Sequence, residues 1–445
     1  MRGVLEVPES LLPINEAILA GLERVEACFD RQLETDIPPV ADLCRHIERY
    51  RGKMLRPTLV LLTGLAAHPE ASERLASGAD LGTLWTDEHI GLGAVVEMVH
   101  MATLVHDDVL DDAEIRRRGQ TVNALRGNEA AVILGDYLLA AAYHLCSAVE
   151  SREAALAVGD TAMTMASGEL LQLHHREDLS LDEPTYYEIV DRKTGALIGL
   201  SCSLGAAASG ADDATVDALK RFGRDMGIAF QIKDDLLDLM GEETVIGKSV
   251  RRDLAKGKLT LPLIHALGEA SPEIRGRLLR EVKTLAEHHE TPAAGAAVDQ
   301  LVATMRDLGS IDYARACAEK IVDRAKASLS VLPESPVRDF IEFSADAVID
   351  LTDEVTAPRT PAKPSRTTNA ASKSEVAPSP GTRALESMMN SAEAAAMEKL
   401  AAGEKGNVEH VALADDKSRA VIARAKRRAA EGPETPEGSN ARRRR

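Results

Sequence analysis

The chain has 445 residues, with 71 acidic against 53 basic side chains and a formal net charge of −18, which excludes the broad basic face that a nucleic-acid surface needs. Aromatic residues are scarce (5 Phe, 6 Tyr, 1 Trp) while Ala and Leu are abundant, so composition favours helices over strands. The five cysteines, Cys28, Cys44, Cys146, Cys202 and Cys317, are scattered and lack CxxC spacing, which argues against a disulfide framework or zinc cage and for a reducing, cytoplasmic setting.

The first residues, MRGVLEVPESLLPINEA, carry early acids and no apolar stretch, so no secretory signal is expected. From there to about residue 355, apolar residues recur at three- and four-residue spacings, which predicts helix after helix. Turns are predicted at Asp36–Pro39, His68–Pro69, Leu179–Pro184 and Ser209–Asp213. No strand alternation persists long enough for a sheet, and no internal repeat is present. The fold class is therefore all-α, a bundle of roughly ten or more helices. Leu92–Val105 and Ala196–Ala208 are apolar nearly all round and belong at its centre. The longest uncharged run, Thr194–Ala211, holds several Gly and Ser and reads as a core helix, not a membrane span. After Pro358 the chain turns to Pro, Ser, Thr and Ala. This divides it into a helical domain, 1–356, and a low-complexity, mostly disordered tail, 357–445. Two isolated helices are expected in the tail, at Ala384–Ala402 and Val411–Ala430, before the basic end Arg442–Arg445.

Two acidic clusters interrupt this apolar pattern. In His106-Asp107-Asp108-Val109-Leu110-Asp111-Asp112, Asp107 and Asp111 are four apart and share a helix face, as does His100 two turns earlier. In Asp234-Asp235-Leu236-Leu237-Asp238, Asp234 and Asp238 repeat the spacing at the end of another apolar helix. Aspartates near a helix C-terminus oppose the helix dipole. One such cluster reads equally as a solvated helix end; two point to a compensating cation. Mg²⁺ suits stacked carboxylates, because it binds through one or two of them together with substrate phosphates. Basic residues complete the set. Lys53 and Arg56 are three apart in Gly52–Pro57, Arg116 and Arg117 follow the first cluster, and Lys193-Thr194 comes later. Lys248 and Lys258 lie in GKSVRRDLAKGKLTLP, which reads as a mobile basic lid over phosphates or as a solvated linker.

Six segments, in order, resemble the trans-isoprenyl diphosphate synthase (polyprenyl synthetase) family: GKMLRP, EMVHMATLVHDDVLDDAEIRRRGQTVN, GNEAAVILGDYLL, KTGAL, FQIKDDLLD and GKSVRRDLAKGKLTLP. The resemblance spans roughly residues 15 to 350 and implies a class I isoprenoid synthase-like bundle around a central apolar cavity. It implies that Asp107, Asp111 and Asp234 bind Mg²⁺, three ions in all, with Asp108, Asp235 and Asp238 alongside. By the same resemblance, Lys53, Arg56, His100 and Arg117 bind isopentenyl diphosphate. Arg116, Lys193, Thr194, Gln231, Lys248 and Lys258 bind an allylic diphosphate. The family's arginine pair falls on Arg116/Arg117 or, with a one-residue gap, on Arg117/Arg118, and Met54 stands where a basic residue is common. The implied reaction is ionisation, condensation and proton loss, in a homodimer.

Ala102 and Thr103, five and four residues before Asp107, are small. In this family that resembles synthases of medium or long chains. A water-insoluble product makes peripheral membrane contact an expectation. The rival readings are a class I terpene cyclase and a non-catalytic subunit. The second acidic cluster and Lys53, Arg56 and His100 count against the first, and two intact clusters count against the other.

Overall fold

The computed structural model describes residues 8–52, 54–116, 119–149, 151–176, 178–240, 258–288 and 292–356. The expected tail, 357–445, lies outside the described residues. Helices α1 (Leu12–Gln32), α2 (Pro38–Ile47), α3 (Leu55–Ala67), α4 (Ala71–Ser77) and α5 (Asp87–Leu110) come first. A hairpin of two-residue strands follows, β1 (Ile115–Arg116) and β2 (Gly119–Gln120), antiparallel with Ile115 opposite Gln120. Then come α6 (Val122–Arg126), α7 (Asn128–Ala148), α8 (Arg152–His174) and α9 (Glu183–Val190). A π-helical turn, Asp191–Gly195, leads into α10 (Ala196–Ala208) and α11 (Asp213–Met240). The series closes with α12 (Leu261–Glu269), α13 (Pro272–His288), α14 (Pro292–Asp307), α15 (Ser310–Ser328) and α16 (Pro336–Thr356).

The four predicted turns all mark breaks between helices, three of them running into the first turn of the next helix, at Pro38, Glu183 and Asp213, and local chemistry explains several starts. Ser151 accepts from the Ala154 amide at 3.1 Å, Asp182 from Thr185 at 3.0 Å and Asp212 from Thr215 at 2.8 Å. Each side chain satisfies a backbone donor that the first helical turn leaves unpaired.

The two helices predicted to be central are central. α5 is buried almost without break from His89 to Val99 and packs against α1, α3, α7 and α10. α10 is buried from Ala196 to Ala206 between α3, α5, α8 and α11. A helix surrounded by other helices has no solvent face to make polar, which is why both read as continuous apolar runs. His89 and Glu97 are the polar exceptions in this buried stretch of α5, and His89 shows how one is accommodated. Its ring contacts Ser209 Oγ at 2.9 Å and Thr86 Oγ1 at 3.0 Å, and burial pushes its pKa down to about 4.

Candidate active site

The first acidic cluster forms where α5 stops. The Asp111 amide still donates to Asp107 O at 2.8 Å, but Asp112 turns left-handed at φ 47° and the Ala113 amide closes on Asp108 O at 2.9 Å. A non-glycine residue rarely adopts this conformation without surrounding contacts to hold it. The reversal sends the chain into the β1–β2 hairpin and brings Arg116 back onto the cluster. Arg116 Nε donates to both Asp108 oxygens, at 2.9 and 3.1 Å, and its Nη2 lies 2.8 Å from Oδ1. Asp108 is buried, so the middle aspartate is spent on orienting the arginine. The Arg116 guanidinium lies 6.0 Å from the Tyr50 ring centroid, and the Tyr50 oxygen accepts from the Val122 amide at 3.0 Å. Asn123 Nδ2 holds the turn by donating to Asp108 O and Ala113 O, both at 3.1 Å.

Asp107 faces a different neighbourhood. Burial raises its carboxyl pKa to about 6. Lys193 pulls it down, Glu169 and Asp111 push it up, and Arg116 pulls it down. Those influences locate α5, α8 and the π turn around one carboxylate. Lys193 Nζ pairs with Glu169 and donates to Gln172 Oε1 at 3.1 Å. Asp111 is half exposed, with Arg176 at 3.9 Å.

The second cluster lies within the last turns of α11. Asp234 is exposed and Asp238 half-buried, whereas Asp235 is buried and fully engaged. Tyr186 Oη donates to its Oδ2 at 2.7 Å, Gln231 Nε2 to its Oδ1 at 3.0 Å, and Lys258 Nζ stands 3.6 Å from Oδ1. Thr194 Oγ1 donates to Gln231 Oε1 at 3.0 Å. Consecutive residues of the π turn thus serve opposite sides: Lys193 reaches the first cluster and Thr194 the second.

Arg56 sits in the first turn of α3, just after Met54, which is buried and left-handed at φ 48°. The neighbouring Pro57 packs on Gly93, two turns before the half-buried His100 of α5. Lys53, Arg117 and Lys248 lie outside the described residues, as does Arg118 and with it the choice of arginine pair. Ala102 is buried, and Thr103 Oγ1 donates to His100 O at 2.8 Å.

Sequence reading missed Glu169, Gln172, Tyr50, Tyr186 and Asn123. Glu169 and Gln172 carried a signal, two polar groups three apart on the apolar run SGELLQL. The tyrosines carried none, because nothing local distinguishes a core Tyr from one whose hydroxyl holds a carboxylate.

Among the described residues, no three acidic, His or Cys side chains converge into a ready-made metal cage. The donor set nevertheless fits Mg²⁺. It offers hard carboxylate oxygens in pairs, among them the half-buried Asp107, whose pKa desolvation raises to about 6, and leaves other positions for phosphate oxygens.

A family model described as polyprenyl synthetase matches residues 38–300. Octaprenyl diphosphate synthase of Escherichia coli (strain K12) is 30% identical over 330 residues, covering 74% of this chain and 95% of the relative. Nonaprenyl diphosphate synthase of Mycobacterium tuberculosis is 32% identical over 337 residues, covering 75% and 93%. Among solved structures, a polyprenyl synthase from Caulobacter crescentus CB15, complexed with calcium and isoprenyl diphosphate, superposes with a TM-score of 0.67 at 29% identity, covering 77% of this chain and 98% of that one. A decaprenyl diphosphate synthase from Rhodobacter capsulatus gives 0.66 at 30% identity, covering 76% and 98%. The motifs, the helical fold and these matches agree, and the chain belongs to the polyprenyl synthetase family.

Proposed function

We propose that this chain is a Mg²⁺-dependent trans-prenyltransferase that condenses isopentenyl diphosphate with an allylic diphosphate to give a medium- or long-chain polyprenyl diphosphate. The observation that carries this reading is the pair Lys193 and Thr194, adjacent residues that link two separate carboxylate clusters. A diphosphate between the clusters meets a positive charge and a hydroxyl donor from the π turn, Gln231 from α11 and Lys258 from the segment before α12.

Asp107, Asp111 and Asp234 are the residues that would hold Mg²⁺, which when bound offsets the negative charge that develops on a departing diphosphate. Lys193, Thr194 and Lys258 orient that diphosphate, and Arg116, held by Asp108, adds a fixed guanidinium. The buried apolar surface of α5 keeps water from the allylic tail. The allylic C–O bond breaks, with its electron pair leaving on the diphosphate. The isopentenyl double bond then attacks the allylic carbon, and a proton leaves to the released diphosphate, so no protein base is needed. Small residues at Ala102 and Thr103 and the names of the relatives, octaprenyl, nonaprenyl and decaprenyl, support a longer product.

The outer faces of α7 and α8 support a homodimer. Ile133, Leu156, Met163 and Leu170 are 56–72% exposed, and the last three fall seven apart on one line. α7 is long and apolar enough to cross a membrane, yet only 39% of its apolar window is buried. A second copy covering this face removes the exposed apolar surface. A relative from Bacillus subtilis is described as heptaprenyl diphosphate synthase component 2, at 30% identity over 318 residues, so an unlike partner chain is the alternative occupant. Sedimentation of the purified protein separates the two: a dimer that Met163→Glu dissociates supports self-association, and a wild-type monomer supports the unlike partner. A cytoplasmic enzyme with peripheral membrane contact completes the reading. Flotation with anionic vesicles checks that contact, and absence from the floated fraction rejects it.

The decisive assay is incorporation of labelled isopentenyl diphosphate onto farnesyl diphosphate with Mg²⁺, followed by sizing of the dephosphorylated products. A ladder ending at one long chain, absent for Asp107→Ala, supports the synthase. No incorporation by folded protein with any allylic primer rejects it in favour of the non-catalytic subunit.

A further inference from the structure

Lys193 and Thr194 sit in a π-helical turn, and its register fixes which element each of them meets. The Ala196 amide bonds to Asp191 O, five residues back, where an α-helix bonds four back. The added residue rotates everything after it by about 100° relative to a continuous helix. Such turns are intrinsically less favourable than α-helix and need outside contacts to hold them.

Those contacts are present on both flanks. Toward α8, Arg192 donates to Ser167 Oγ at 3.0 Å, and it is steadied by donating to Glu188 Oε1 of α9 at 3.0 Å. Toward α11, Arg224 Nε donates to Asp191 Oδ1 at 2.8 Å, while its Nη2 pairs with Oδ2. This forked ion pair fills a specific space. A Cβ on Gly195 would lie 2.7 Å from Asp191 Oδ1 and 3.1 Å from Arg224 O, and one on Gly227 would lie 2.7 Å from Gly195 Cα. The Asp191 carboxylate therefore folds back over Gly195, and the turn's backbone rests directly on α11. Seven residues after Arg224, on the same face of α11, Gln231 receives Thr194 and donates to Asp235. The π turn is thus fastened to α11 at two places, one by charge and one by the group that faces the second cluster.

We propose that Asp191 and Arg224 are positioning residues for the transfer reaction. Their ion pair sets the register of the π turn, and so aims Lys193 at the first acidic cluster and Thr194 at the second. This rests on the reading of Lys193 and Thr194 as ligands of the allylic diphosphate. Neither Asp191 nor Arg224 touches the clusters. Both line a cavity of about 1280 Å³ between α9, α11 and α15, so shortening them leaves room for relaxation without emptying the core.

Full-length Arg224→Met and Arg224→Lys separate aim from mere folding. Met keeps most of the volume and loses the charge; Lys keeps the charge and loses the fork. With Arg224→Met, KM for the allylic diphosphate rises about tenfold while KM for isopentenyl diphosphate stays within about twofold, and Arg224→Lys falls between. Hydrogen exchange of amides 191–196 speeds up by about tenfold in Arg224→Met, with the rest of α10 and α11 unchanged. Unchanged exchange overturns the proposal. So does an equal rise in both KM values accompanied by a lower unfolding midpoint, which marks a general structural role. If the wild type incorporates no isopentenyl diphosphate, the transferase reading falls. The exchange measurement, which needs no turnover, still decides whether the pair sets the turn.

Discussion

The two acidic clusters have the same spacing and are held in different ways. In the first, the inward aspartate, Asp108, is held by Arg116, eight residues away, through a turn and hairpin built from the intervening chain. In the second, Asp235 is held by Tyr186, 49 residues away, and by Lys258 from the segment leading into α12. The outer aspartates differ as well. Asp107 sits in a setting that resists its charge, whereas Asp234 faces solvent. The lesson is that each DDxxD divides its labour: the middle carboxylate engages a cation of the protein, Arg116 or Lys258, and the flanking pair is the one proposed above for Mg²⁺. The first cluster is a local construction, and the second exists only once α9, α11 and α12 have packed.

The sharpest test of this division is to remove flanking carboxylates one cluster at a time. Asp107→Ala and Asp234→Ala are each expected to lower kcat/KM by about 1000-fold or more, the scale of losing an electrostatic group aimed at the departing charge. Steady-state incorporation of isopentenyl diphosphate checks both. Near-full activity in one of them would confine the chemistry to a single cluster.

The middle carboxylates come next, and here stability reports as much as rate. Asp108→Asn leaves Arg116 without its counter-charge and is expected to cost about 3 kcal/mol, the low end for a broken buried pair because Arg116 keeps partial access to water. Tyr186→Phe removes one donor from a carboxylate with other partners and is expected to cost about 1–2 kcal/mol. Denaturant unfolding measures both. A larger loss for Tyr186→Phe would reverse the ranking of local over remote support.

The difference in ionisation gives a third test. Mg²⁺ needs a deprotonated carboxylate, so affinity at the first cluster should fall as the pH drops through about 6, where Asp107 takes up its proton. Binding calorimetry with wild type and Asp107→Ala should show that pH dependence in the wild type only. The same elevation bears on folding without metal. An acid whose pKa rises on folding favours the folded state below its unfolded value of 3.8 and loses that contribution as the pH rises through about 6. Added Mg²⁺ should therefore stabilise the protein more at pH 7 than at pH 5.

The smallest expected effect lies away from both clusters, at His89. Its pKa is lowered on folding from 6.5 to about 4, so the neutral buried ring contributes stability above pH 6.5 that is lost as the pH falls toward 4. His89→Gln should flatten the unfolding midpoint over that interval without moving the pH dependence of Mg²⁺ binding, which a thermal melt series resolves.

By itself the sequence determined the helical class, the two central helices, the four breaks between helices and the two acidic clusters. These follow from short-range rules. Apolar periodicity reports which face is buried, Pro, Gly and Asp mark helix ends, and a spacing of four stacks side chains. Tertiary structure alone decided which carboxylates turn inward, because a helix face does not say which neighbour will approach it. Asp235 and Asp234 are adjacent letters, and only the arrival of Tyr186 and Lys258 distinguishes them. Glu169 and Asp107 are 62 positions apart, and the charge of one raises the pKa of the other only once α8 packs beside the π turn. That turn was also invisible in the chain, since KTGAL has the composition of ordinary helix. The extra residue in its register is held by the Asp191–Arg224 pair, a contact between groups 33 residues apart.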